Sequence, residues 1–300
     1  MSFPIRLQDL GTTRGLGWVP DYPDLRDCTV EDEGVSTVLE GTSVPKLLKE
    51  DGPAKVDLRQ WCSPVEDQGQ IGSCTAHAGV GMIEYFQRKA FGKHIDASRL
   101  FLYKATRQLL GWEGDTGATL RATAGSMRLF GVPPEKYWPY LEAGFENEPP
   151  GFCYSFAENY QALQYFRLDP PGTSAEDLIN GIKSNLGSGL PSMFGFTVYN
   201  SISSAGANGG KIPFPSRGEK AVGGHAVMAV GCDDEISLPG GGLGQDSQGG
   251  IMIRNSWSSG WGDGGYGWLS YDYIRNGLTQ DWWVLIDQEW VDTGEFTEEF

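Results

Sequence analysis

The stretch Gln68-Gly69-Gln70-Ile71-Gly72-Ser73-Cys74-Thr75-Ala76-His77-Ala78 decides how the rest of the chain is read. A loop of small residues carries a glutamine and then a cysteine that opens a helix. The helix rests on Ala76, Val80, Ile83, Gln87 and Ala90, near spacings of three and four, with Gly92 as its stop. A cysteine at a helix N-terminus faces unpaired backbone N–H groups and the positive end of the macrodipole, and both favour the thiolate. Those N–H groups can also receive an oxyanion, with the Gln68 amide as a second donor. A lone cysteine is more often a buried, inert thiol, so the choice depends on what lies further down the chain.

The chain has 300 residues, enough for one large domain or two intimate lobes. An apolar share of 39% with 12% aromatic residues is that of a globular protein, and 43 glycines imply many tight turns. No apolar run approaches the length of a membrane span. The start, Met1-Ser2-Phe3-Pro4-Ile5-Arg6, lacks the basic and apolar regions of a secretory signal. The expectation is a cytoplasmic protein, or one exported without a recognisable signal. A net charge of −16 argues against nucleic acid or an anionic membrane as partner, and a monomer is expected. Residues 288–300 form an acidic tail, expected to be a solvated end.

The five cysteines, Cys28, Cys62, Cys74, Cys153 and Cys232, are odd in number and form no C-x-x-C pair, which speaks against zinc fingers and thioredoxin-type motifs. With one reactive thiol set aside, two bridges are permitted and none is required.

Residues 1–53 read as an arm broken up by Pro4, Pro20, Pro23, Pro45 and Pro53, unable to form its own core. A short strand at 56–59 leads into the cysteine loop. Helices are expected at 97–110 and 118–130, and Ser174-Ala175-Glu176-Asp177 is a variant capping box before a helix to 185. Strands are expected at 192–198, 225–231, 251–255, 266–270 and 282–287, between Gly-rich connections at 201–224 and 233–250. Helices followed by strands imply an α+β protein. A helical lobe takes in about 66–160 and a sheet or barrel lobe about 161–287, both within a domain of 54–300.

Nucleophilic chemistry needs a base, and there are three histidines. His77 lies one turn after Cys74 on the same helix and reads as a packing residue, while His94 sits in a polar loop. His225 begins a buried strand, Ala226-Val227-Met228-Ala229-Val230-Gly231, and is approached over Gly223-Gly224. It can hold its ring rigidly towards the other lobe. Asn255-Ser256-Trp257 closes another strand. The Asn255 oxygen can accept the N–H of His225 and fix its tautomer, and Trp257 can shield that bond from water.

Gln-Gly-x-x-Gly-Ser-Cys, then Gly-Gly-His-Ala-Val, then Asn-Ser-Trp with Gly-Trp-Gly and Gly-Tyr, resemble the papain-like cysteine peptidases over about residues 56–287. The phrases Val56-Asp57-Leu58-Arg59 and Asp96-Ala97-Ser98-Arg99-Leu100-Phe101 look most like the bacterial xylellain-type branch. The resemblance implies a two-lobe fold with the cleft between the lobes, Cys74 as nucleophile, His225 as base and Asn255 as its orienter. Gln68 and the Cys74 N–H would form the oxyanion site. It implies no metal or organic cofactor, and a peptide or protein substrate. By alignment, Gly117 is the candidate for pairing with an extended peptide. Ala118, Thr119, Leu120, Ala226 and Trp257 line the substrate site, favouring an apolar side chain two positions before the cut.

The departures are Ile71 and Asp115, which stand where the family has a disulfide, and Thr75, where it has tryptophan. Both halves of that bridge are missing together, which suits a reducing compartment or a bridge-free scaffold. Two other readings stay open at this point: an acyl-transferase or peptide ligase using the same thiol, and a non-catalytic peptide-binding module. Family members are commonly made with a pro-region through the cleft, so the arm is expected to cover Cys74 as an inhibitor. Trp18, Tyr22 and Leu25 would anchor it on the cleft walls. A strap on the sheet lobe is the alternative role.

Overall fold

The chain begins with a hairpin that has its own small sheet. Strand β1 (Ile5–Asp9) pairs antiparallel with β2 (Thr12–Leu16), Ile5 opposite Leu16, around Gly11 in the left-handed region. This computed structural model describes residues 5–9, 11–158, 164–240 and 245–293. Two short helices follow, α1 (Glu33–Leu39) and α2 (Val44–Leu47). They bury Val35, Val38, Leu39 and Val44 in the common core. These elements of the arm carry little sequence signal, because a short amphipathic turn forms only against a surface supplied from elsewhere.

Past β3 (Lys55–Asp57) come α3 (Cys74–Phe91), α4 (Arg99–Leu110), α5 (Leu120–Phe130) and α6 (Gly151–Ala157). Helix α3 is buried on nearly every face, from Cys74 to Phe86, as suits a helix with neighbours all round. Helices α4 and α5 pack on one side of it and the sheet on the other. It ends at Gly92, which takes the left-handed conformation that the sequence required. Helix α5 starts two residues later than expected. Gly117 has φ +73°, Ala118 is paired outward, and Thr119 caps the helix by accepting the Ala122 N–H.

The second half holds β4 (Gln164–Arg167), α7 (Ala175–Gly187), β5 (Ser192–Tyr199), β6 (Ala221–Leu238), β7 (Ser247–Arg254), β8 (Tyr266–Ser270), α8 (Tyr271–Arg275), β9 (Thr279–Ile286) and α9 (Gln288–Val291). The strands form one antiparallel sheet in the order β4-β9-β5-β6-β7-β8, with β3 paired to β6. The α+β, two-lobe expectation holds. Strand β6 is longer than the 225–231 segment foreseen, because the glycine-rich connection continues it into a hairpin with β7. The capping box at Ser174 is half formed. Ser174 accepts the Asp177 N–H, but the Asp177 carboxylate takes the Ser174 hydroxyl rather than a backbone N–H. The stretch 294–300 of the acidic tail and the lobe junction at 161–163 lie outside the described residues.

All five cysteines are unpaired. Among the described residues, no helix is long and apolar enough to cross a membrane.

Candidate active site

Cys74 is the first residue of α3, and His225 sits opposite Phe196 in the β5–β6 pairing, so the two lobes each supply one residue. His225 Nε2 lies 2.8 Å from Asn255 Oδ1. An amide oxygen only accepts, and this one also takes the Ser256 N–H at 2.8 Å, so the His225 proton is on Nε2. Nδ1 is left as the free base, buried and without a hydrogen-bond partner. The Trp257 ring stacks on the imidazole at 4.8 Å and 26°, braced edge-on by Trp261 at 5.6 Å. Trp257 is fully buried, so water has no path to the His225–Asn255 bond from that side.

Gln68 is buried and tied on every side. Its N–H donates to the Ser256 carbonyl, its carbonyl accepts the Tyr140 hydroxyl, and its Oε1 accepts the Ser256 hydroxyl at 2.6 Å. The last bond fixes the amide so that Nε2 is the donor. Tyr140 also meets the Ser73 hydroxyl at 2.7 Å, linking Gln68 to the residue before the nucleophile. Ser256 and Tyr140 were not singled out in the sequence. Ser256 lay inside Asn-Ser-Trp and was readable there as a side chain next to the base; Tyr140 carried no signal.

Residues 14–19 of the arm lie across this site. Gln68 Nε2 donates to the Gly15 carbonyl at 3.0 Å. The Gly15 N–H donates to the Gly69 carbonyl, the Trp18 N–H to Gly224 and the Val19 N–H to Ala118, and Gly17 accepts the Ala118 N–H at 2.8 Å. The arm's main chain thus pairs with Ala118, while the N–H of Gly117 is taken by the Tyr103 hydroxyl. Gly17 is obligatory, since a Cβ there would lie 1.9 Å from the Gly72 carbonyl oxygen. Arg14 anchors the hairpin to Asp67 at 2.6 Å and to the Trp257 carbonyl.

Trp18 fills a slot in the sheet lobe. A Cβ on Gly195 would stand 1.9 Å from its ring, and one on Gly224 would stand 2.7 Å from it. Its Nε1 donates to Asp281 Oδ2 at 3.0 Å, an oxygen that also accepts the Asp21 N–H. Arg167 neutralises the other oxygen of Asp281. Burial nevertheless lifts the Asp281 pKa to about 6.

Of the three expected anchors only Trp18 is buried. Tyr22 and Leu25 are 90% and 103% exposed, because the chain leaves the cleft after Val19 and loops through solvent. Cys28 lies away from the site, beside Tyr165, Gln164 and Arg128. Among the remaining positions aligned with a substrate site, Leu120 and Ala226 are buried, and Thr119 serves as the cap of α5.

The electrostatics are those of a closed site. Burial pushes the Cys74 thiol up to about 11, outweighing the N–H groups of Ala226, Gly17, Thr75 and Cys74 that favour the thiolate. Burial also brings His225 down to about 4, against the raising effect of its bond to Asn255. The helix terminus does face the sulfur as the sequence suggested, but desolvation is the larger effect while the cleft is covered. His77 is a packing residue: its ring meets Tyr140 edge-on and its pKa falls well below normal through burial.

A helix-borne cysteine, a strand-borne histidine oriented by an asparagine, and a fixed glutamine amide are the groups that thiol-based acyl chemistry calls for. The comparisons show the family. The model of the papain family cysteine proteases matches residues 52–282. An uncharacterised peptidase C1-like protein of Acanthamoeba polyphaga mimivirus is 31% identical over 91% of this chain and 87% of its own. The thiol protease aleurain of Arabidopsis thaliana is 28% identical over 68% of this chain but only 51% of its own. The crystal structure of xylellain, a cysteine protease from Xylella fastidiosa, is 32% identical with a TM-score of 0.69, covering 95% of this chain and 98% of that one. Procathepsin L 3 of Tenebrio molitor, 20% identical with a TM-score of 0.57, shares the fold. This chain belongs to the papain family of cysteine proteases.

Proposed function

We propose that the protein is a latent cysteine endopeptidase in which Cys74 is the nucleophile, His225 the general base and acid, Asn255 its orienter and Gln68 an oxyanion donor. With the cleft open, Cys74 as thiolate attacks the scissile carbonyl and the carbonyl oxygen takes the charge, held by Gln68 Nε2 and the Cys74 N–H. The C–N bond breaks as protonated His225 gives its proton to the leaving amine, which leaves a thioester on Cys74. His225 then takes a proton from water as it attacks the thioester, and the acid is released with the thiol restored. Asn255 keeps Nε2 protonated throughout, so Nδ1 is the atom that exchanges protons.

The observation that carries this reading is the Gln68–Gly15 bond: a peptide carbonyl already accepts from the amide assigned to the oxyanion. The same contact supports reading residues 14–19 as the inhibitory part of the arm, since it blocks the site and desolvates both reacting groups. The slot holding Trp18 supports a preference for large apolar side chains, and the five free thiols support a reducing compartment. The test is to treat the protein with a peptidyl epoxide after a limited tryptic cut at the exposed Arg26, and map the adduct by mass spectrometry. The reading requires modification at Cys74; modification elsewhere, or none, overturns it.

A further inference from the structure

The turn that meets the arm is held to the nucleophile loop by a single carboxylate. Asp115 Oδ1 accepts the Gly72 N–H at 2.8 Å and the Tyr103 hydroxyl at 2.7 Å. The Tyr103 oxygen in turn accepts the Gly117 N–H at 3.1 Å. Tyr103 lies within α4, and its pKa is pushed up by burial and by Asp115, so the hydroxyl stays a donor. Arg107, one turn further along the same face, stacks on the Tyr103 ring at 4.3 Å and holds the Gly114 carbonyl at 2.6 Å. A rigid helix therefore grips the turn at both ends, and Asp115 carries that grip across to Gly72, two residues before Cys74.

The surface on which the arm lies depends on this link. A Cβ placed on Gly72 would lie 3.1 Å from the Gly17 Cα and 3.4 Å from the Gly117 Cα. Loop and turn therefore touch directly, and the Gly17 main chain of the arm packs against the seam they form. Carboxylate-to-N–H bonds are roughly twice as strong as neutral ones. Deleting this carboxylate would also leave a buried hydroxyl and a backbone N–H without their acceptor.

We propose that Asp115 is a positioning residue that fixes the Gly117–Ala118 turn against the Gly72 loop, and so governs how tightly an extended chain is held on the surface they share. For the arm this stands on the contacts alone; for substrates it rests on the peptidase reading. Asp115 does its work in place of a covalent cross-link between the same two segments, and it needs no oxidising conditions.

The test uses the full chain as wild type, Asp115→Ala and Asp115→Asn. Amide exchange at Val19 and Ala118 reads the pairing directly. It should quicken about tenfold in Asp115→Ala, the equivalent of roughly one hydrogen bond, and stay near wild type in Asp115→Asn, whose amide oxygen can still accept. Labelling of Cys74 by a peptidyl epoxide relative to iodoacetamide should fall by a similar factor in Asp115→Ala alone. A merely structural role would move both reagents together and leave the ratio unchanged, which overturns the proposal, as does unchanged exchange. If Asp115→Ala does not fold, Tyr103→Phe removes the hydroxyl that orients Asp115 and holds Gly117 but leaves the Gly72 bond, so both readouts should shift in the same direction by a smaller factor, and no shift in either overturns the proposal. Should wild-type Cys74 take neither reagent even after the cut at Arg26, the peptidase reading fails, and amide exchange still decides the role of Asp115.

Discussion

The side-chain amide of Gln68 donates to the main-chain carbonyl of Gly15 at 3.0 Å, so the chain's own arm takes up the amide proposed as the oxyanion donor. Blocking and burial come from one contact surface. Trp18 is its largest anchor, and truncating a buried tryptophan costs about 3–5 kcal/mol. Trp18→Ala in the full chain should speed iodoacetamide labelling of Cys74 by at least about tenfold. An unchanged rate would show that the hairpin, with Arg14 and Asp67, holds the arm without Trp18.

The arm is two devices in series. Residues 14–19 lie across the candidate site, whereas α1 and α2 bury Val35, Val38, Leu39 and Val44 in the core. Each such side chain is worth about 1.5–3 kcal/mol of burial. A chain starting at residue 28 should therefore fold and expose Cys74. One starting at Pro53 should melt well below it or not fold at all. Thermal unfolding of the two shortened chains settles the point, and equal midpoints would mean that the strap contributes nothing.

Ser256 keeps the Gln68 amide facing the right way through its 2.6 Å bond to Oε1. Gln68→Ala should cost about 10- to 1,000-fold in kcat, the usual effect of one lost oxyanion donor. Ser256→Ala should cost about 3- to 10-fold, with KM little changed, since the donor remains but is less well oriented. Steady-state kinetics on the activated enzyme distinguishes the two, and a larger loss for Ser256→Ala would contradict the ordering.

Asp281 gives stability a pH dependence with a definite sign. Its pKa rises from 3.8 to about 6 on folding, chiefly through burial. The folded state therefore binds the proton more tightly than the unfolded chain. The contribution is fully present below pH 3.8 and is lost as pH climbs through about 6. Asp281→Asn should flatten that part of the curve of melting temperature against pH. Parallel curves for the two proteins would assign the slope to other groups.

The sequence carried the helices and strands that bear the candidate site well, because each is fixed by local chemistry. Gly92 stops α3, Ser98 and Thr119 cap the helices after it, and the strand after His225 is apolar throughout. What it did not carry depends on long-range docking. The β1–β2 hairpin and α1 form against a surface that sequence patterning alone does not reveal. Tyr22 and Leu25 looked like anchors because they are apolar, yet the chain direction at Val19 puts them in solvent. The thiol of Cys74 looked activated because the helix terminus is local, whereas the arm that desolvates it comes from far away in the chain.

The most direct test of the account compares wild type with Cys74→Ala, both clipped at Arg26 by brief trypsin treatment that is then quenched, in hydrolysis of a peptide library. Wild type should gain hydrolysis on clipping, and Cys74→Ala should show none before or after, although equally well folded by circular dichroism. Equal hydrolysis by the two clipped proteins would contradict the assignment of Cys74 as the nucleophile.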